Sequence, residues 1–212
     1  MLDRQIHFNK YAVKAALARV YLTMGDKKNA AKYAQEVIRG EKYELKSKTE
    51  VRGDVAGVLS EKECLFGLYH KDFYSTVSVL LQQTVSFYSL NLRPDYEELY
   101  SKDVSGDDYR VSAYFSIGND DRVRLSKFTD TYELNNNASD RPEQKILGIN
   151  LIRIPEMYYI ASEALLESDY DKALELYNTV REHRGLDKLA DKDLTVELIN
   201  DERYKEMIGE GQ

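Results

Sequence analysis

From Asn9 to Gly40 the chain reads NKYAVKAALARVYLTMGDKKNAAKYAQEVIRG, with apolar Val13, Ala16, Leu17, Val20, Tyr21 and Met24 recurring at steps of three and four. That spacing predicts a helix with these residues on its buried face. Asn9 can cap it, Gly25 and Asp26 interrupt the pattern, and Asp26 can cap a second helix. The second helix buries Ala30, Ala34, Val37 and Ile38 and ends at Gly40, so residues 9–40 are expected to form a helical hairpin.

The same pattern returns over residues 156–185 as EMYYIASEALLESDYDKALELYNTVREHRG. Sliding one copy onto the other aligns Leu17 with Ile160, Ala18 with Ala161, Asp26 with Asp169, Ala30 with Ala173, and Val37 with Val180. Small residues at matching positions in both helices let two axes approach closely, as tetratricopeptide-type pairs require. The first copy also carries Tyr21 and Gly25 where such a repeat expects them. The second has Ala164 and Ser168 there and is the more degenerate.

Residues 41–150 separate the copies and change character: Ser, Asn, Asp, Tyr and Gly become common and the helical period weakens. Within them ECLFGLYH (63–70), RVSAYFSI (110–117) and RVRLSKF (122–128) read as short strands, and PDYEELYSK from Pro94 as a short helix. DTYELNNNASDRPEQK (130–145) reads as a polar loop. A connection this long is expected to be functional, which makes it the candidate ligand-binding region. After Gly185, Thr195 can cap a final helix over residues 195–208 that carries Leu198, Ile199 and Met207.

The fold class expected is mainly α: tetratricopeptide-like helix pairs with a long, mostly irregular insertion containing short strands. Charge changes the picture only by exclusion. The net charge is -7 with both signs interspersed and no basic stripe, which argues against nucleic acid as a partner. No run reaches the roughly 18 apolar residues of a membrane span. Cys64 is the single cysteine and has no partner within the chain.

Candidate chemistry is sparse. His7, His70 and His183 stand apart from one another and from Cys64, so neither a metal site nor a cofactor is expected. The adjacent carboxylates Glu97-Glu98, Asp107-Asp108 and Asp120-Asp121 suit capping and turns better than a glycosidase pair, whose members flank a bond at a set separation. Aromatic usage stands out, with seventeen tyrosines, six phenylalanines and no tryptophan. Phe73, Tyr74, Phe87, Tyr88, Tyr109, Tyr114 and Tyr132 fall in the insertion among short polar side chains, together with Phe115 and Phe128. Rings beside hydroxyls and amides can stack on a sugar's C–H face while satisfying its hydroxyls, so the first seven are the ligand-binding candidates.

Six phrases in order, NKYAVKAALARVYLTMGDKKNAAKYAQEVI, KECLFGL, DDYRV with a later KF, LIRIPEMYYIASEALL, ALELYNTVREHRGL and LTVELINDERYKEMIGEGQ, resemble the SusD-like (RagB/SusD) family of outer-membrane nutrient-binding lipoproteins. The resemblance runs over essentially the whole chain, as a single domain fragment over residues 1–212. It implies non-enzymatic binding of an oligosaccharide or other nutrient, for delivery to a SusC-like TonB-dependent transporter in polysaccharide utilisation. It also implies an outward-facing protein held on the outer membrane through a lipid anchor that this sequence does not contain. Arg153, Glu156, Glu202 and Arg203 match the family's phrases and read as architectural ion-pairing residues. An internal fragment should leave Val13, Leu17, Val20 and Tyr21 less covered than a native core. A different reading, a tetratricopeptide-type protein interaction scaffold, expects concave helix faces lined by Lys14, Arg19 and Lys32. A glycoside hydrolase remnant is a third.

Overall fold

A computed structural model describes residues 2–52, 59–70, 99–100, 107–117, 121–127, 148–190 and 193–210. Among these the fold is mainly α. A 3-10 turn (Leu2–Ile6) leads into α1 (Lys10–Thr23), where the Asn9 side chain accepts from the Tyr11 and Ala12 amides. Its amide donates to the carbonyls of Arg4 and Leu65, so one residue caps the helix and ties it to both neighbouring segments. Gly25, at φ +78, makes the turn, and Asp26 caps α2 (Lys27–Ile38) by accepting from the Asn29 amide.

The second hairpin is α5 (Ile154–Leu165), with Pro155 in its first turn, followed by α6 (Tyr170–His183), capped by Asp169 through the Lys172 amide. Its first helix therefore begins two residues earlier than the pattern of residues 156–185 suggests. The aligned pairs Ala18/Ala161, Ala30/Ala173 and Val37/Val180 are all fully buried, and both aspartates cap. α2 packs between α1 and α5, so the two hairpins stack on each other.

The helix at α1 forms as expected, but the face it buries differs from the expected one. Ala12, Ala15 and Ala18 are buried, whereas Val13, Val20 and Met24 are 39%, 52% and 71% exposed. Leu17 and Tyr21 are half-buried. The reason is packing distance: the alanine row lets α2 approach α1 closely, which turns the larger side chains outward. Ile160, at the position of Leu17, is buried because α2 covers it. The apolar patch expected on the first pair is thus present, centred on Val13 and Val20.

Between the hairpins lie α3 (Lys48–Arg52), β1 (Cys64–Tyr69), α4 (Tyr109–Tyr114), β2 (Phe115–Ile117) and β3 (Val123–Leu125), then β4 (Gly148–Arg153). β1 pairs antiparallel with β4, Cys64 opposite Arg153 and Tyr69 opposite Gly148, with irregular register near Phe66. The insertion therefore closes on itself immediately before α5. β2 and β3 form a second antiparallel pair. Residues 110–117 are not one strand: Asp108 caps a helical turn and a half, and only the last three residues are extended. A cap and a buried Arg110 outweigh the β-propensity of the local sequence there. Of the helix expected after Pro94 only Leu99 and Tyr100 are described, both helical, and the loop 130–145 lies outside the described residues. α7 (Val196–Met207), capped by Thr195, completes the fold.

Val20→Lys and Met24→Lys are expected to shift unfolding free energy by no more than about 0.5 kcal/mol while reducing self-association, whereas Ala18→Leu should cost about 1–3 kcal/mol. Urea denaturation and sedimentation velocity check both.

Candidate functional site

α7 supplies the starting point. Its buried face holds Ile199 and Met207, and also Glu202, Lys205 and Glu206. Carboxylates one turn apart on a buried face require cations, and three elements provide them. Arg184, just past the end of α6, donates through Nε to Glu206 Oε2 at 2.9 Å and through Nη2 to Glu63 Oε1 at 2.8 Å. Arg153, where β4 meets α5, donates through Nη1 to Glu206 Oε1 at 2.7 Å and Glu63 Oε2 at 3.0 Å, and through Nε to Glu210 Oε2 at 3.1 Å. Arg110, in the first turn of α4, grips Asp108 with Nε and Nη2 and reaches Glu202 Oε2 at 2.8 Å. Lys205 pairs with Glu202, and Lys127 with Glu210. Five cations and five carboxylates thus form one buried, balanced cluster.

Burial would raise the carboxyl of Glu206, but Arg184 and Arg153 outweigh it and hold the group well below 4.5. Burial likewise opposes ionisation of Glu63 and Glu202, and again the arginines win, with Lys205 assisting at Glu202. Lys127 goes the other way: burial pushes it down to about 8 against the pull of Glu210. Each of these three carboxylates is committed to a cation and held ionised, which gives none of them a proton to exchange near neutral pH. Cys64, buried in β1, is pushed up to about 12 and is held as the thiol.

Two further ion pairs join helices outside this cluster. Arg19 of α1 grips Glu156 of α5 with two bonds of 2.6 Å and donates to the Leu151 carbonyl. Arg203 of α7 pairs with Glu163 of α5. Arg153, Glu156, Glu202 and Arg203 are therefore all bridging residues between elements. Asp108 serves as a helix cap and an arginine partner, and Asp121 sits in a turn with φ 59. His183 closes α6 with Nδ1 3.1 Å from the Lys46 carbonyl. Among the described residues no group of histidine, cysteine and carboxylate side chains is arranged to hold a metal ion.

Of the aromatic candidates, Phe73, Tyr74, Phe87, Tyr88 and Tyr132 lie outside the described residues, as does Phe128. Tyr109 and Tyr114 occupy the first and last positions of α4 and meet different partners. Tyr109 is half-buried, with the Lys48 ammonium 4.5 Å from its ring centre. Its ring lies so close to Gly185 that an added Cβ there would come within 2.5 Å, and Gly185 holds φ +85, so only glycine fits. Tyr114 is 7% exposed, its hydroxyl 3.3 Å from Glu206 Oε1 and Lys127 4.3 Å over its ring. Phe115 packs edge-on to Tyr100, whose hydroxyl donates to the Lys205 carbonyl. Reasoning from sequence missed Glu63, Arg110, Arg184, Glu206 and Glu210. The signal available was the spacing of Glu202 and Glu206, one turn apart on the same side as Ile199.

Two outcomes follow for the cluster. Arg153→Met or Arg184→Met, which strands buried carboxylates, should destabilise the chain by about 3–5 kcal/mol in chemical denaturation. Because Glu63, Glu202 and Glu206 are depressed on folding, their stabilisation is complete above the unfolded value of 4.5 and is lost as pH falls below it through the folded values. Melting temperature should accordingly drop steeply on acidification below about pH 4.5, and less steeply in Glu206→Gln.

A family model, SusD_RagB, described as the SusD family, matches residues 9–212. A comparison with curated proteins finds no match. Among solved structures the fold is similar to a SusD superfamily protein from Bacteroides thetaiotaomicron, with 27% identity, TM-score 0.76, and coverage of 96% of this chain and 48% of that one. It is also similar to a SusD-like carbohydrate binding protein from Bacteroides vulgatus at 23% identity and TM-score 0.72, covering 98% and 44%. A laminarin binding SusD-like protein matches at 20% identity and TM-score 0.69, covering 96% and 53%. The chain thus spans about half the length of these proteins. With the match extending from the first helix cap to the end, the chain belongs to the SusD family.

Proposed function

We propose that this chain is part of a non-enzymatic binding protein that takes glycans or related nutrients at the cell surface and delivers them to a SusC-like TonB-dependent transporter. Membership of the SusD family carries this reading, supported by similar structures named for carbohydrate and laminarin binding. The location that goes with it is the outer face of the outer membrane, with a lipid anchor as the attachment. Among the described residues no helix is long and apolar enough to cross a membrane.

The ligand region we assign to the insertion, residues 41–150, with Phe73, Tyr74, Phe87, Tyr88, Tyr109, Tyr114 and Tyr132 as candidate contacts. Of the two described candidates, Tyr109 is the more exposed and the better suited to a ligand contact, with the Lys48 ammonium beside its ring. Tyr114, whose faces are covered within the chain, would contribute by holding α4 in position. A binding role also suits the carboxylates of the buried cluster, which are spent on arginines.

A glycan array followed by isothermal calorimetry tests the proposal. At least one polysaccharide fragment should bind, and alanine at a contacting ring should weaken it by about 2–10-fold at unchanged melting temperature. Absence of binding to every saccharide, or binding indifferent to all seven substitutions, would overturn the glycan reading.

A further inference from the structure

A concave surface lies between α2 and the end of α5. It encloses about 650 Å³, within the range of pockets that bind small ligands and short peptide segments. Small residues, Ala31 of α2 and Ala164 of α5, lie buried at its base, and the partly buried Leu165 adds an apolar edge. Along one wall Lys28, Lys32, Gln35 and Arg39 stand at steps of three and four on α2, the first two and the last exposed. From Lys28 to Arg39 that wall runs for roughly 16 Å.

The charge of the groove is opposite to that of the chain. Its carboxylates are Glu36, paired with Lys14 of α1, and Glu167, paired with Lys27. Lys28, Lys32 and Arg39 make no ion pair among the described residues, and Arg39 donates only to the neutral Gln35 side chain. Three exposed cations thus line the groove of a protein of net charge -7, Lys32 with its ammonium 5.0 Å over the Tyr33 ring, and Lys32 and Arg39 add to Lys14 in lowering the Glu36 carboxyl. No aromatic ring lines the groove. A sugar site normally needs such a ring to stack on, so the lining favours a peptide over a glycan.

We propose that this groove docks an acidic peptide segment of a partner protein, its carboxylates on Lys28, Lys32 and Arg39 and a small apolar side chain against Leu165. In extended form about five residues would fill it, with alternate side chains pointing into the groove. The occupant's charge follows from complementarity, which sets partner choice and encounter rate more than raw affinity. Lys14 and Arg19, which a groove-lining role would also have needed, are instead engaged with Glu36 and Glu156, so the docking surface is the α2–α5 face alone. The proposal is independent of the glycan reading, because it uses none of the candidate aromatics.

Fluorescence anisotropy with a labelled Glu-Ala-Glu-Ala-Glu peptide, on the full chain at low ionic strength, tests it. The peptide should bind, a Lys-Ala-Lys-Ala-Lys peptide should not, and added salt should weaken binding. Lys28→Glu with Lys32→Glu should lower affinity about tenfold or more, while Lys10→Glu with Lys42→Glu, an equal change of net charge at exposed sites outside the groove, should leave it within about twofold. All four side chains are exposed, so circular dichroism should show every variant folded. Absence of peptide binding, equal loss in both double variants, or equally tight binding of an oligogalacturonate would each overturn the proposal, the last by showing attraction to any polyanion.

Discussion

The structure depends on neutralising charge where water is excluded. Glu206 has none of its side chain exposed, and neither has Arg110; Arg153, Arg184, Glu63 and Glu202 are almost as deeply enclosed. An isolated ion in such a place would cost several kcal/mol, so every member must be delivered together and in the right geometry. The members come from the segment before β1, the first turn of α4, the junction of β4 and α5, the end of α6, and α7. This arrangement of the elements satisfies these pairs together. A cluster of this kind adds less to stability than an apolar core of the same size would, and its larger effect is to exclude other packings.

The helix pairs obey a different rule, set by side-chain size. Alanines at Ala15, Ala18, Ala30, Ala34, Ala161 and Ala173 let the four helices of the two hairpins pack at close range, and Ser162 joins α5 to α6 by donating to the Ala173 carbonyl. Close approach fixes which face is inward, and the consequence differs between the copies. α5 is covered by α2, so both its alanines and Ile160 are buried; on α1, Val13 and Val20 are exposed. Identical repeat positions thus have unequal environments.

These two rules explain what the sequence could and could not reveal. Helical period, caps and matched small residues are local signals, and Asn9, Asp26, Asp169 and Thr195 all cap where their types and positions suggest. The buried face of α1 was not legible, because hydrophobic period favours Val13, Val20 and Met24 while packing distance favours the alanines. β4 was hidden for another reason: GINLIR is short, and its pairing partner lies 79 to 89 residues away across the insertion, so no hairpin signal marks it. The ion cluster was half visible. Arg153 and Glu202 stood out within recognisable phrases, whereas Arg110 sat in what reads as a strand and Arg184 in what reads as a solvated helix end. Of the ligand candidates, sequence marks ring and hydroxyl chemistry but not burial, which is what separates Tyr109 from Tyr114.

The cluster and the β1–β4 pair together bear on how a binding region can change without loss of the fold. Glu63, just before β1, and Arg153, at the end of β4, bond to each other beside the strand pair that closes the later part of the insertion, while Arg110 anchors α4 to α7 in between. Once the ends are fixed, lengthening a segment between anchors costs little, since closure entropy grows only with the logarithm of loop length. Substitutions between the anchors need not disturb the alanine-lined stack, which contributes none of the cluster's charges except through Arg153 and Arg184 at its edges. A frame pinned at a few charged points therefore permits wide variation in the rings and polar side chains strung between them, and a family built this way can meet different ligands on one scaffold.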